Sequence, residues 1–257
     1  MKPSEQNRRV VITGVGMVTA AGIDTKTSWN NALEAKSGVS TIESFDTGEL
    51  SVKVAGEVKN FDVGNALDKK DARRAQRFVQ LAAKATQYAL DDAGISEGHI
   101  ENSDASQAKK FKGGRNLIGC AIGVGMGALD NIVQTAYHLR DHGGKKVSPF
   151  FIPYTIPNMA AGIVAIRFNL KGPNLCPTTA CSSGTHAVAD GFQNIVSNRA
   201  DIMVCGGAES VVSALGIAAF ANMKALCSDS NDNPERASRP FDATRSGFVM
   251  GEGSGIV

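Results

Sequence analysis

The segment PTTACSSGTHA, residues 177–187, places one cysteine among small residues. Residues 174–179 before it have a strand-like composition, and the pattern over residues 182–197 predicts a helix. Cys181 is therefore predicted on the turn between them, beside the helix N-terminus. Unpaired backbone N–H groups and the positive end of the helix dipole stabilise a thiolate there. Small neighbours leave room for a substrate at the sulfur, so we interpret this turn as a cysteine version of the nucleophile elbow.

A cysteine is more often a small core residue than a nucleophile, and the other four cysteines show the contrast. Cys120 and Cys205 lie inside apolar runs that predict buried strands. Cys176 lies in the strand before the turn, and Cys227 lies in a polar loop. None of them stands at a turn of small residues that opens a helix, so the context favours Cys181 as the catalytic residue.

The composition predicts a water-soluble globular protein. Of 257 residues, 42% are hydrophobic and 20% are charged, and the formal net charge of +2 gives no strong basic field for nucleic acid. Five cysteines without a C-x-x-C pair favour a reducing compartment over a disulfide framework. The N-terminus lacks the apolar core of a signal peptide, and no apolar run reaches the ~20 residues of a membrane span. We therefore predict a cytoplasmic protein that binds neither nucleic acid nor membrane.

Strand and helix patterns alternate along the chain, which predicts an α/β fold. Strands are predicted at residues 9–13, 116–125, 201–207 and 248–257. Helices are predicted at residues 26–35, 78–94, 129–140 and 157–168, and a polar surface loop at residues 97–115. The last predicted strand is apolar and has no cap or turn after it, so we expect the sequence to belong to a longer protein.

Two glycines after the first predicted strand invite comparison with a dinucleotide-binding turn. Gly14 and Gly16 have the right spacing, but Thr19 stands where that motif has its third glycine. A tight structural turn is therefore the better interpretation, and we predict no cofactor and no metal.

Basic side chains precede the helix predicted at residues 78–94. Lys70, Arg73, Arg74 and Arg77 have i, i+3, i+4 and i+7 spacing, so they can share one helical face. From these residues alone, a solvated face and a surface for an anionic partner are equally good interpretations.

Several segments stand in a fixed order along the chain: RVVITGVG at residues 9–16, SPFFIP at 148–153, TACSSG at 179–184, ASRPFD at 237–242 and GFVMGEG at 247–253. Together they resemble the β-ketoacyl-acyl-carrier-protein synthases, the condensing enzymes of fatty-acid and polyketide synthesis. The resemblance covers essentially the whole chain and is closest to the elongating type.

The resemblance implies a thiolase-type fold, in which two similar βαβαβ halves form a five-layer αβαβα body, usually as a homodimer. It implies that residues 1–246 are the N-terminal half with the nucleophile and that residues 247–257 begin the C-terminal half. It also implies that Cys181 accepts an acyl chain from acyl carrier protein as a thioester. Malonyl-acyl carrier protein then loses carbon dioxide and attacks that thioester, which gives 3-oxoacyl-acyl carrier protein in fatty-acid elongation.

Further roles follow from the resemblance. Met126 matches the hydrophobic gate of the acyl pocket, Gly216 its floor and Phe220 its lining, and Phe151 matches the position that reaches the partner subunit's pocket. The basic surface that receives the carrier protein is matched by Lys70, Arg73, Arg74, Lys145, Lys146 and Lys224. The basic run thereby becomes a predicted docking patch.

The resemblance also has departures. Family members of this type use two histidines and one backbone N–H from the C-terminal half, whereas His99, His138, His142 and His186 of this chain match none of the family's histidine motifs. We interpret His186 as structural, because it lies off the helical face of the cysteine. Asp229 and an additional residue nearby also depart from the usual loop. We therefore expect an incomplete active site in these 257 residues.

Other functions stay open at this point: a polyketide ketosynthase, a thiolase-like enzyme that acts on coenzyme A thioesters, and a non-catalytic carrier-binding partner such as a chain-length factor. The segments at residues 148–150 and 251–253 favour the elongating type. The retained Cys181 argues against the non-catalytic partner, since such partners typically replace the nucleophile.

Overall fold

A computed structural model describes residues 8–95 and 114–257. The strands in these ranges are β1 (Gly16–Thr19), β2 (Ser40–Thr41), β3 (Val54–Ala55), β4 (Ile118–Gly123), β5 (Asn174–Leu175), β6 (Ile202–Glu209) and β7 (Gly253–Ile256). The helices are α1 (Thr25–Leu33), α2 (Lys69–Arg74), α3 (Arg77–Asp92), α4 (Leu129–His142), α5 (Phe151–Thr155), α6 (Met159–Arg167), α7 (Ser183–Val196) and α8 (Ala214–Asn222).

The central sheet has the strand order β1-β7-β6-β4-β5, and β2 pairs with β3 in a small second sheet. β4 runs parallel to β5 and β6, whereas β7 runs antiparallel to both β1 and β6. Because parallel neighbours end at the same edge of a sheet, the segments that follow β4, β5 and β6 meet at one edge. The segments after β4 and β5 carry Met126 and Cys181, so the strand order brings these two predicted site residues to one edge.

Helix α3 lies along the sheet and supplies much of its apolar cover. Phe78, Leu81 and Ala85 are buried on its inner face, and burial of a side chain the size of Phe78 stabilises the fold by about 1.5–3 kcal/mol. The strand approaches so closely that a Cβ on Gly16 would lie 1.9 Å from the carbonyl oxygen of Ala85. Only glycine fits at this position between β1 and α3.

Most of the predicted elements are confirmed. The helices predicted at residues 26–35, 78–94, 129–140 and 157–168 are α1, α3, α4 and α6, and the strands predicted at 116–125 and 201–207 are β4 and β6. The strands predicted at 174–179 and 248–257 are shorter, as β5 and β7. Pro177 has no N–H for a sheet ladder, which favours an early end of β5.

The strand predicted at residues 9–13 is wrong. The first strand begins at Gly16, which pairs with Ile256, so residues 9–13 have no neighbouring strand among the described residues. Val11 and Ile12 are consequently 58% and 68% exposed. Their apolar side chains suggested a buried strand, but a strand also needs a hydrogen-bonding neighbour in register.

The division at residues 246 and 247 stays a prediction. Strand β7 pairs with β1 on one side and with β6 on the other, so it belongs to the sheet built by the preceding residues. His99 and residues 97–113 of the predicted surface loop lie outside the described residues. Within the described residues, no helix combines the length and the apolar character needed to cross a membrane.

Candidate active site

Cys181 lies in a short 3-10 turn, Ala180–Ser182, directly before helix α7. Ala180 has a φ of +54°, in the left-handed region that costs a non-glycine residue about 1–2 kcal/mol. Ser183 holds the turn, since its Oγ donates to the Ala180 carbonyl oxygen at 2.6 Å and accepts from the Thr179 N–H at 2.9 Å. The predicted turn beside the helix N-terminus is therefore confirmed.

Exposure separates Cys181 from the other cysteines. Cys181 is exposed, Cys176 is half-buried, and Cys120, Cys205 and Cys227 are buried. Burial raises the pKa of the Cys205 thiol to about 12 and also raises the pKa of Cys120 and of Cys176. A raised pKa keeps those thiols in the protonated, weakly nucleophilic form. The backbone N–H of Cys181 makes no hydrogen bond to another described residue, so it is available to a ligand.

Glycines set how closely helix α7 approaches the sheet. A Cβ on Gly123 would lie 2.2 Å from the backbone carbonyl of Ser183, and a Cβ on Gly207 would lie 3.1 Å from Gly184 Cα. About two turns further along the helix, a Cβ on Gly191 would lie 2.1 Å from Cys205 Sγ. Side chains at these positions would lift the helix, so the glycines fix the height of its N-terminus above the sheet edge.

Met126 lies on the loop between β4 and α4, and Glu209 holds this loop. The Glu209 carboxylate accepts hydrogen bonds from the N–H groups of Gly125 at 2.9 Å, Met126 at 2.7 Å and Gly127 at 3.1 Å. A Cβ on Gly125 would lie 3.4 Å from the Ala180 carbonyl oxygen, so the loop lies against the turn that carries the cysteine. The structure thus brings the loop of Met126 and the turn of Cys181 together.

Sequence reasoning missed Glu209. The sequence feature that could have pointed to it is an acidic residue at the end of a buried strand, directly after Gly206, Gly207 and Ala208. A carboxylate at the end of one parallel strand can reach the loop that follows the neighbouring parallel strand. That geometry depends on the strand order, which the sequence pattern alone did not provide.

The other predicted acyl-pocket residues lie on α8 and α5. Gly216 is buried near the start of α8, where a Cβ would lie 2.2 Å from the Val211 carbonyl oxygen. Phe220 packs edge-on against Phe248, with ring centroids 5.7 Å apart. Phe151 opens α5, and the last residue of that helix, Thr155, lies against Gly127 of the Met126 loop. The roles of these residues at an acyl chain stay predictions.

Contacts between distant segments hold α2 against the start of α5. The Arg74 guanidinium stacks on the Phe150 ring at 3.8 Å from the centroid. Tyr154 donates a hydrogen bond from its hydroxyl to the Asp71 carboxylate at 2.9 Å. These contacts fix α2 against α5, and the 3-10 turn Gly144–Lys146 precedes α5 in the chain.

The remaining docking candidates are exposed. Lys70 and Arg73 lie on α2, Lys145 and Lys146 lie in the turn before α5, and Lys224 follows α8 with a φ of +59°. None of these five side chains forms an ion pair within the described part of the chain. Their positive charge is therefore not neutralised by a neighbouring carboxylate at ion-pair distance.

Arg77 does not share the face of this basic run, which corrects the sequence prediction. Helix α2 ends at Arg74, Ala75 adopts extended backbone with ψ of 134°, and Arg77 opens α3. Its guanidinium pairs with Glu252 at 2.7 Å. The i, i+3, i+4 and i+7 spacing places four residues on one face only if the helix is continuous. The extended backbone of Ala75 interrupts the helix before Arg77.

The described histidines lie in different settings. His138 and His142 stack on each other along α4, with ring centroids 4.4 Å apart. His186 Nδ1 lies 2.7 Å from the hydroxyl of Thr179, which precedes the cysteine by two residues. Among the described residues, no histidine forms a hydrogen bond with Cys181, and no cluster of three or more potential ligands could hold a metal ion.

Fold and site together define an α/β protein whose exposed cysteine stands at a helix N-terminus, where three parallel strands end. The chain matches the family described as "Beta-ketoacyl synthase, N-terminal domain" over residues 7–257. It belongs to this family, as its sequence motifs predicted.

Curated relatives carry the name 3-oxoacyl-[acyl-carrier-protein] synthase 2. The protein from Staphylococcus aureus (strain N315) is 42% identical over 252 residues, which are 98% of this chain and 57% of that protein. The protein from Rhizobium meliloti (strain 1021) is 42% identical over 97% of this chain and 58% of its own length. The protein from Synechocystis sp. is 40% identical over 98% of this chain and 57% of its own length. The chain thus spans little more than half the length of these relatives.

Solved structures confirm the thiolase-like fold class. A β-ketoacyl synthase from Burkholderia phymatum STM815 has a TM-score of 0.80 at 28% identity, over 96% of this chain and 57% of that one. The ishigamide ketosynthase/chain length factor has a TM-score of 0.81 at 27% identity, over 98% of this chain and 58% of that one. AntDE:AntF, a type II polyketide acyl-carrier protein in complex with its ketosynthase, has a TM-score of 0.76 at 26% identity, over 98% of this chain and 57% of that one.

Proposed function

We propose that this chain is the nucleophile-bearing part of a β-ketoacyl-acyl-carrier-protein synthase that elongates fatty acids. The observation that carries the proposal is Cys181, an exposed thiol at the N-terminus of α7 among four less accessible cysteines. The names of the relatives, 3-oxoacyl-[acyl-carrier-protein] synthase 2, supply the reaction class. The proposed protein is thus an acyltransferase of fatty-acid biosynthesis.

The first proposed step transfers the acyl chain to the cysteine. The Cys181 sulfur attacks the carbonyl carbon of an acyl-acyl carrier protein thioester, so that a new C–S bond forms at Cys181. The C–S bond to the carrier breaks, and the carrier leaves as its free thiol with the proton that Cys181 gave up. The free N–H of Cys181 and the helix N-terminus are suited to stabilise the negative charge that develops on the carbonyl oxygen.

The second proposed step extends the chain. Malonyl-acyl carrier protein loses carbon dioxide, and the electron pair of the broken C–C bond remains on the carbon that attacks the Cys181 thioester. A new C–C bond forms, the C–S bond at Cys181 breaks, and 3-oxoacyl-acyl carrier protein leaves. Because no described histidine bonds to Cys181, we propose that the acid–base groups come from the part of the relatives' length that this chain does not span.

We propose that Met126, Gly216 and Phe220 form the gate, floor and lining of the acyl pocket. The contact between the Met126 loop and the Ala180 turn supports the gate. A Cβ on Gly216 would lie 2.2 Å from the Val211 carbonyl oxygen, which supports a floor position that admits no side chain. We further propose that Phe151 reaches the pocket of a second subunit in a homodimer. Strand β5 supports such a dimer, since it ends the described sheet with exposed Leu175 and leaves an edge for another strand.

The proposed carrier-protein surface consists of Lys70, Arg73, Arg74, Lys145, Lys146 and Lys224. Two of its segments are joined by the contact between Arg74 and Phe150, and five of its side chains have no ion-pair partner in the described ranges. The AntDE:AntF complex, in which a ketosynthase holds an acyl-carrier protein, supports this class of partner. We also propose a cytoplasmic location, which the free cysteines favour.

A two-stage assay tests the proposed function. The full synthase that contains this chain is incubated with acyl-acyl carrier protein, and mass spectrometry locates the acyl group. Malonyl-acyl carrier protein is then added, and the extended product is identified. We expect the acyl group on Cys181, its absence in Cys181→Ser, its retention in the matched variant Cys176→Ser, and a single-round 3-oxoacyl product. An acyl group on another residue, or extension by Cys181→Ser, would contradict the proposal. Repeated extension without reduction would instead indicate a polyketide ketosynthase.

A further inference from the structure

We propose that Glu209 is a positioning residue. Its carboxylate fixes the loop of residues 125–127 through hydrogen bonds, which we call the latch, and thereby holds Met126 against the acyl chain. This inference rests on the proposed function for the role of Met126. The latch itself rests on the hydrogen bonds of the structure, so the two parts can be tested separately.

Within the described residues, every hydrogen bond to the Glu209 carboxylate comes from a backbone N–H group. One oxygen, Oε2, accepts from the N–H groups of Gly125 and Met126, and the other, Oε1, accepts from Gly127 at 3.1 Å and from Ser210 at 3.3 Å. No arginine or lysine within the described residues forms an ion pair with it. The carboxylate therefore satisfies successive N–H groups of one loop, an arrangement that needs two acceptor oxygens at fixed positions.

Strand register explains how Glu209 reaches this loop. Gly123 at the end of β4 pairs with Gly207 of the parallel strand β6, and Glu209 lies two residues beyond that pair. Residues 125–127 lie at the matching distance beyond the end of β4. The carboxylate therefore needs to cross only one strand spacing to reach the loop.

The sequence of this loop is compatible with more than one backbone conformation. Gly127 has a φ of +75°, which few other residues adopt. A Cβ on Gly125 would lie 3.1 Å from Glu209 Oε2 and 3.4 Å from the Ala180 carbonyl oxygen. Glycines on both sides of Met126 allow the loop many conformations, and the carboxylate selects one of them. Met126 itself is 40% exposed, so its position depends on its backbone rather than on burial.

Glu209→Gln is the sharpest substitution. The amide keeps the size and one acceptor oxygen but presents an NH₂ group to at least one of the loop donors. Glu209→Asp keeps the charge but is one methylene shorter, so it should reach fewer of the three N–H groups. Glu57→Gln is the matched control, because the Glu57 carboxylate also accepts from two backbone N–H groups, those of Glu43 at 2.9 Å and Ser44 at 3.1 Å.

Hydrogen exchange tests the latch without any substrate. In the full protein, we expect Glu209→Gln to accelerate amide exchange about tenfold or more in peptides that contain residues 125–127, as expected for a lost hydrogen bond to a charged acceptor. Glu209→Asp should give a smaller acceleration, and Glu57→Gln should leave these peptides at the parent rate. Unchanged exchange in both Glu209 variants would overturn the latch.

A double-mutant cycle tests whether the latch acts through Met126. We expect Glu209→Gln to change the ratio of acylation rates for long and short acyl-acyl carrier proteins about tenfold. The same substitution should have little effect on that ratio in the Met126→Ala background, and labelling of Cys181 by iodoacetamide should stay within about twofold of the parent. Equal effects in both backgrounds would overturn the role of Glu209 in positioning Met126. Absence of acylation in the parent protein would overturn the proposed function, whereas the exchange result would still decide the latch.

Discussion

Arg77 and Glu252 form a bidentate ion pair, with Arg77 Nε 2.8 Å from Oε2 and Nη2 2.7 Å from Oε1. The Glu252 side chain is only 5% exposed. It also accepts from the Val58 N–H at 2.9 Å and from the Ser210 hydroxyl at 2.6 Å. One carboxylate thus joins the start of α3, the segment after β3, the end of β6 and the approach to β7.

Removal of the arginine should destabilise the fold. Arg77→Met leaves the buried Glu252 carboxylate without its counter-ion, so we expect the free energy of unfolding in urea to fall by about 1–3 kcal/mol. The effect should stay below that of a fully buried pair, since the Arg77 side chain is 42% exposed. Arg73→Met removes an exposed arginine without an ion-pair partner in the described ranges and should change stability by less than about 0.5 kcal/mol. Equal losses in the two variants would show that Glu252 does not depend on Arg77.

Cys181 should be the first thiol of the folded protein to react with iodoacetamide. It is exposed at the helix N-terminus, whereas burial raises the pKa of Cys205 to about 12 and also raises the pKa of Cys120. Mass spectrometry after brief labelling should find the adduct on Cys181, and Cys120 and Cys205 should react only when urea unfolds the protein. Preferential labelling of Cys176 or Cys227 in the native protein would contradict the proposed nucleophile turn.

Charge reversal on α2 should slow carrier-protein association. Arg73→Glu replaces an exposed positive charge of the proposed docking surface, so we expect a lower association rate at low salt, by up to about tenfold, and a weaker dependence of that rate on ionic strength. Stopped-flow measurements at several salt concentrations would resolve both effects. Lys171→Glu makes the same charge change on an exposed residue outside the proposed surface. If Lys171→Glu slows association as much as Arg73→Glu, only net charge matters and the proposed surface is wrong.

Local patterns were sufficient to predict the elements that hold Cys181. The small residues around it and the helical period after it depend on nearby positions, and the structure has the same turn and helix. The failed strand at residues 9–13 and the interrupted basic face have a different origin. Whether Val11 and Ile12 join a sheet depends on a neighbouring strand. Arg77 lies on a different helix from the rest of the basic run because the extended Ala75 separates the two helices.

The same distinction explains why Glu209 was missed. Its function in the structure is defined by a loop more than eighty residues away in sequence, and the two become neighbours only because β4 and β6 are adjacent parallel strands. No local pattern around residue 209 contains that information. Family motifs led to Met126, but they gave no reason for its loop to keep one shape.

Asp229 should make stability depend on pH. Hydrogen bonds from Ser246, Cys227 and Arg239, in that order of effect, hold the pKa of the Asp229 carboxyl far below its usual range. Arg239 Nη2 lies 2.9 Å from Oδ2 and 3.1 Å from Oδ1. Because the folded-state pKa is depressed, the ionised carboxylate stabilises the fold fully above the unfolded pKa of about 3.9, and this contribution is lost as pH falls toward the folded value.

Asp229→Asn should therefore be less stable than the parent near neutral pH, and the difference should shrink as the pH is lowered below about 4. Urea unfolding of both proteins over a pH series would measure it. Asp232→Asn, at an exposed aspartate of the same loop, serves as the control. The difference between its free energy of unfolding and that of the parent should be the same at every pH. A difference between Asp229→Asn and the parent that stays constant across the series would mean that the substitution acts through packing around Cys227 rather than through the charge of Asp229.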